Sequence, residues 1–96
     1  MNILIPLDNE QNISYISEPK EWAVVTLDNG NKINEKRYKS KNDIKELIDF
    51  VVVKDKNEDV DDFLDEDIGI LIAPYKMNTD EIIEAFIFRE LYESGS

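Results

Sequence analysis

Three of the four basic residues in the second half of the chain are Lys54, Lys56 and Lys76, and each follows the carboxyl end of an apolar run and precedes a helical pattern. Open α/β sheets bind ligands in the crevice beyond such strand ends. The free N–H groups of a following helix add partial positive charge there. With Tyr75 beside Lys76, the residues Lys54, Lys56, Tyr75 and Lys76 form a candidate site for a small anion or an anionic cofactor, and Asp8 closes the first apolar run nearby. The competing reading is that these are loop lysines that keep strand edges soluble.

Eight carboxylates, Asp55, Glu58, Asp59, Asp61, Asp62, Asp65, Glu66 and Asp67, fall within thirteen residues. Oxygen ligands of this kind suit magnesium or calcium. Their spacing, however, wraps them around a helix, and no Asp-x-Asp-x-Asp-Gly loop is present. A solvated helix face is expected, and no metal site. The chain also has no histidine and no cysteine, which removes the usual neutral-pH acid–base group, the thiolate nucleophile and the soft-metal ligands. A two-metal hydrolase needs carboxylates on its first strand and nearby elements. Asp8 lies just beyond that strand, and no second acid interrupts Trp22–Leu27 or Val51–Val53. No catalytic residue is assigned, and no enzyme is expected.

The last helical pattern, Thr79 to about Tyr92, carries more apolar residues than one core-facing stripe requires. Ile83, Phe86, Ile87 and Leu91 suffice for the core, which leaves Phe88 and Tyr92, four apart, on a flanking face. Such a surplus marks either a contact surface for self-association or a protein partner, or simply wider burial of the helix.

The charge is −11, and it is uneven: residues 1–50 carry nine acids and seven bases, residues 51–96 thirteen and four. An acidic protein of this kind is repelled by phosphate backbones and anionic lipid, so neither nucleic acid nor a membrane is an expected partner. The opening apolar stretch Met1–Leu7, interrupted by Asn2 and Pro6, is too short for a signal peptide or a membrane span. Without cysteine there is no disulfide framework, and a cytoplasmic protein is expected.

The elements that must position these residues follow from pattern. Ile3-Leu4-Ile5, closed by Pro6, reads as a buried strand, and Trp22–Leu27 as a central one. Asn29-Gly30 between two extended runs predicts a tight hairpin returning through Lys32–Lys39. Ser40 or Asn42 caps a short helix with Ile44, Leu47 and Ile48 at helical spacing. Phe50–Val53 and Ile70–Ala73 are further buried strands. Between them a helix starts at Asn57, buries Val60, Phe63 and Leu64, and ends at a left-handed Gly69. Asn78 with Glu81 forms a capping box for the last helix. The sum is one α/β domain over residues 1–93 with a flexible tail at 94–96, its mixed sheet of about five strands covered by three helices.

This order, with particular residues, resembles the dinitrogenase iron–molybdenum cofactor biosynthesis family. Ile3-Leu4-Ile5-Pro6-Leu7-Asp8 followed by Asn12-Ile13-Ser14 is similar to that family's first strand and turn. Trp22–Asp28 with Gly30, then Phe50–Val53, Gly69-Ile70 and Asp80–Phe86, resemble the rest. The resemblance implies a ribonuclease H-like fold and an iron–sulfur or iron–molybdenum type cluster as cargo. The family's cofactor-contacting features are replaced here. Its His-Phe-Gly motif corresponds to Ser14–Pro19, its glycine-rich loop to Lys54-Asp55-Lys56-Asn57, and its long Cys- or His-bearing segment is short. The expectation is therefore a non-enzymatic binding or protein-interaction module with no predicted cofactor. The alternative is a carrier that holds a metallocluster or other anionic cofactor through lysines and backbone amides.

Overall fold

The computed structural model describes residues 1–94, with β6 placed by its backbone pairing. β1 (Asn2–Leu7) lies inside a six-stranded mixed sheet of order β3-β2-β1-β4-β5-β6. It pairs antiparallel with β2 (Glu21–Asp28) and parallel with β4 (Phe50–Val53). A strand buried on both faces reads as a continuous apolar run, and Ile3 to Leu7 are all buried. Pro6 does not end the strand: it lies beyond the last β1–β4 pair, Leu4 with Val51, so on that side no ladder remains for a missing N–H to interrupt.

β2 returns through Asn29 (φ 52) and Gly30 (φ 79) into β3 (Asn31–Tyr38). Two consecutive positive φ angles match the twist of a two-residue hairpin, which is why Asn-Gly is favoured there. β5 (Gly69–Ile72) pairs parallel with β4, and β6 (Tyr92–Ser94) pairs antiparallel with β5.

The pleat sends alternate residues to two cores. On one face Ile3, Ile5, Ala23, Val25, Val52 and Leu71 pack beneath Ile82 and Ile83 of α2 (Thr79–Ile87). On the other, Leu4, Trp22, Val24, Val51 and Ile70 pack beneath Phe63 of α1 (Asp61–Asp65) and Ile68, with Ile44 and Ile48 beside them. No helix among the described residues is long and apolar enough to cross a membrane.

The described residues contain two α-helices, not the three expected. Ser40 does cap a turn, accepting from the Asn42 N–H, but only Lys41–Asp43 wind as a 3-10 turn and Ile44 is already extended. Tertiary bonds hold residues 44–49 irregular. Asn2 Nδ2 donates to the Leu47 carbonyl at 2.8 Å, the Asn2 N–H to Asp49 Oδ2 at 2.8 Å, and the Asp49 N–H to the Asn2 carbonyl at 2.9 Å. A single short helix is too marginal to compete with them.

α1 begins at Asp61 instead of Asn57, because side chains take the preceding amides: Asp55 accepts from the Asn57 N–H and Asp59 from the Asp61 N–H. Its end is also not at Gly69, which opens β5. Asp67 (φ 60) takes the left-handed position, with Ile68 N–H donating to Phe63 O and Asp67 N–H to Leu64 O. That is a Schellman ending without glycine, and Ile68 packs in the same cluster as Phe63. Leu64, expected inside, is exposed.

α2 carries the expected capping box, Asn78 Oδ1 accepting from Glu81 N–H and Glu81 Oε1 from Asn78 N–H. Asn78→Ala is expected to cost about 0.5–2 kcal/mol in urea unfolding. The helix ends at Ile87, five residues short of Tyr92. Arg89 (φ 59) adopts the left-handed conformation while Glu90 N–H reaches Ala85 O at 2.7 Å and Arg89 N–H reaches Phe86 O at 3.0 Å. The chain then turns back as β6, which includes Ser94, expected in a flexible tail; Gly95 and Ser96 lie outside the described residues. Phe88 caps α2 and is 67% exposed, but Tyr92 sits in β6 and no longer shares a helix face with it. Ile82, not counted among the core residues above, is fully buried, whereas Ile87 is exposed.

On β2 and β3, Arg37 joins Glu21 and Glu35, each at 2.6 Å, and also bonds Gln11. Hydrogen bonds from Gln11 and Arg37 hold the Glu21 carboxyl below the usual carboxylate range. Burial would raise Glu35, but Lys32 and Arg37 outweigh it and the net shift is downward. A depressed carboxylate contributes stability above its unfolded value and loses it as the pH falls through its folded value. Arg37→Met is therefore expected to make thermal stability fall less steeply on acidification from neutrality, by about 0–1 kcal/mol for such exposed pairs.

Candidate functional site

β4 and β5 are parallel neighbours, so their carboxyl ends, Val53 and Ile72, open onto one rim. Three segments meet there. Residues 13–16 are tied in by Ile13 N–H donating to the Met77 carbonyl at 2.8 Å and Ser14 N–H to Pro6 O at 2.9 Å. Residues 54–58 leave β4, and residues 73–78 leave β5 toward α2.

Lys54 and Lys56 line a cleft of about 530 Å³ with Tyr15, Asp55, Ile72 and Pro74. The Lys54 ammonium lies 4.9 Å from the centroid of the Tyr15 ring, within the range of a cation–π contact. Beside this cleft the Glu58 carboxylate collects three backbone donors. Oε2 accepts from Lys54 N–H at 2.7 Å and Asp55 N–H at 2.9 Å, and Oε1 accepts from Ile16 N–H at 2.6 Å. Backbone N–H groups converging this way make an anion-binding concavity.

The other two candidate residues lie apart. Tyr75 is 70% exposed and borders a smaller hollow of about 130 Å³ with Pro74, Met77 and Leu91. Lys76 reaches Glu10 at 3.4 Å with both side chains largely exposed, a pair of little energetic weight. Asp8, just past the carboxyl end of β1, does not line the cleft: its Oδ1 accepts from Glu10 and Asn12 N–H at 2.8 and 3.1 Å, shaping its own turn. The structure thus joins Lys54 and Lys56 and leaves Tyr75 and Lys76 outside. Tyr15 and Glu58, absent from the candidate set, complete the arrangement. Glu58 sits 42 positions from Ile16, and nothing local distinguishes it from the other carboxylates around it.

Ammonium groups and amide N–H groups fit an oxyanion. They do not fit a ligated iron cluster, which is held chiefly by thiolates or imidazoles. Among the described residues no group of three or more His, Cys, Asp or Glu converges to hold a metal ion. Asp55 and Asp59 bond to amides of their own loop, and Asp61, Asp62, Asp65, Glu66 and Asp67 are exposed.

No protein-family model matches the chain, and no curated protein matches its sequence. Solved structures do match its fold. A crystal structure of MJ0327 from Methanocaldococcus jannaschii, provisionally described as a dinitrogenase, superposes with a TM-score of 0.81 at 21% identity over 100% of this chain and 96% of that one. An NMR structure of MJ0327 gives 0.78 at 22% identity, covering 100% and 94%. The crystal structure of PH0822 gives 0.76 at 13% identity, covering 98% and 96%. At these identities the likeness is one of fold: a mixed α/β sheet of the kind found in these proteins, matched along nearly the whole chain.

Proposed function

We propose that this chain is a non-enzymatic, cytoplasmic binding module on the ribonuclease H-like scaffold of the dinitrogenase iron–molybdenum cofactor biosynthesis family. Its ligand is a small anion received at the rim of β4 and β5. The observation that carries this reading is the cleft of Lys54, Lys56 and Tyr15 beside three converging amides. The fold likeness to MJ0327, provisionally described as a dinitrogenase, supports the scaffold. A second reading, carriage of a metallocluster or other anionic cofactor, draws on the same donors, which would meet the outer atoms of the cargo and not its iron.

Titration of ¹⁵N-labelled protein with inorganic phosphate and with citrate tests the site. Amide shifts are expected at Ile16, Lys54 and Lys56, with Tyr75 and Lys76 unmoved because they lie elsewhere. No change at Lys54 or Lys56 overturns the anion site.

A protein-contact role belongs to the same proposal. Phe88 is the exposed aromatic at the end of α2, and self-association through it predicts that sedimentation shows a concentration-dependent dimer that Phe88→Ser abolishes. A strictly monomeric wild type at high concentration contradicts it.

A further inference from the structure

We infer that Glu58 is a built-in occupant of the oxyanion site: its carboxylate fills the cradle of Ile16, Lys54 and Asp55 amides, and a ligand carboxylate or phosphate must displace it. This rests on the anion-binding reading of the rim and adds the regulation of that site. A carboxylate already shows the chemistry the cradle accepts, since one oxygen takes two amides from the end of β4 while the other takes one from the segment after β1. Glu58 therefore joins two loops that share no other described bond of this kind at that point.

The side chain also has somewhere to go. Seated against the Ile16 amide, Glu58 borders a second hollow of about 370 Å³ that Ile16 also lines, with Tyr15, Trp22, Lys41 and Phe63. The Lys41 ammonium stands 4.5 Å over the Phe63 ring there and supplies an opposite charge. Asp59 and Asp62 line the same hollow and oppose the move. The balance favours the seated position, in which three N–H groups meet a full negative charge. Tyr15 borders both hollows and so links the lysine cleft to the space beside Glu58.

A site whose competent form is a minor population binds with an affinity reduced by that fraction. Removing the occupant should raise affinity by at least about tenfold if the cradle is open less than about a tenth of the time.

The test measures binding of formate and of inorganic phosphate to wild type, Glu58→Ala and Glu58→Gln by the amide shifts of Ile16, Lys54 and Asp55, alongside thermal unfolding. Glu58→Ala is expected to melt lower than wild type, to bind either anion at least about tenfold more tightly, and to regain melting temperature saturably as formate is added. Glu58→Gln keeps the size and one acceptor oxygen but turns an NH₂ toward the donors, so it should fall between the two and serves if the alanine variant does not fold. Equal affinity in wild type and both variants overturns the occupant while leaving an anion site in place. No binding to any of the three overturns the site itself.

Discussion

Truncating Ile82 to alanine is expected to remove about 2–5 kcal/mol of stability, the usual range for emptying a fully buried isoleucine site. α2 is only nine residues long, a length at which an isolated helix is marginal in water. It exists because Ile82 and Ile83 pack into one core with residues of β1, β2, β4 and β5, and Ala85 is buried as well. Ile82 is 0% exposed at the centre of that contact, whereas Ile87, five residues on, is 41% exposed. A domain of this size holds roughly 5–15 kcal/mol in total, so the loss is a large fraction of what keeps it folded. In urea the midpoint of Ile82→Ala should fall with the slope unchanged, while Ile87→Ala should cost less than about 1 kcal/mol. Equal losses at both positions would mean that α2 is seated differently.

A second large effect is expected at Gly69, which opens β5 opposite Phe50 of β4. A Cβ placed on Gly69 would lie 2.6 and 2.7 Å from two carbons of the Phe50 ring. That ring packs against Phe86 of α2 with centroids 5.7 Å apart, so it cannot yield without disturbing the contact between sheet and helix. Gly69→Ala should therefore destabilise by about 1–3 kcal/mol, the scale of overpacking, although a residue other than glycine would ordinarily help a strand. Repeating the substitution in a Phe50→Leu background should shrink the cost, because the coupled partner is gone. Stabilisation by Gly69→Ala alone would contradict the close approach.

The sheet was legible because its signals are local. The apolar runs Ile3–Ile5, Trp22–Leu27, Phe50–Val53 and Ile70–Ala73 all became strands, the last of them one residue shorter at Ala73, and Asn29-Gly30 made the hairpin between β2 and β3. Helix endings were not legible, because Asp67 and Arg89 hold left-handed conformations that glycine would advertise. The missed ending at Arg89 also hid β6, since Tyr92 continues an apolar helical spacing that the backbone abandons. Residues 44–49 lost their helix to hydrogen bonds with Asn2, which no local pattern encodes.

The site divides along the same line. Lys54 and Lys56 were legible from their place just past β4. Tyr75 and Lys76 stood equally close to the end of β5, yet the loop carries them away, Tyr75 toward Leu91 and Lys76 toward Glu10. Glu58 was hidden among carboxylates of identical type, and only the fold shows that it gathers the amides of Ile16, Lys54 and Asp55.

Iron content and visible absorption of protein purified without oxygen address the central proposal, a rim that grips oxyanions and offers iron no thiolate or imidazole. The expected preparation is colourless, with iron far below one atom per chain. A brown preparation carrying stoichiometric iron, with charge-transfer bands that persist through gel filtration, would contradict it.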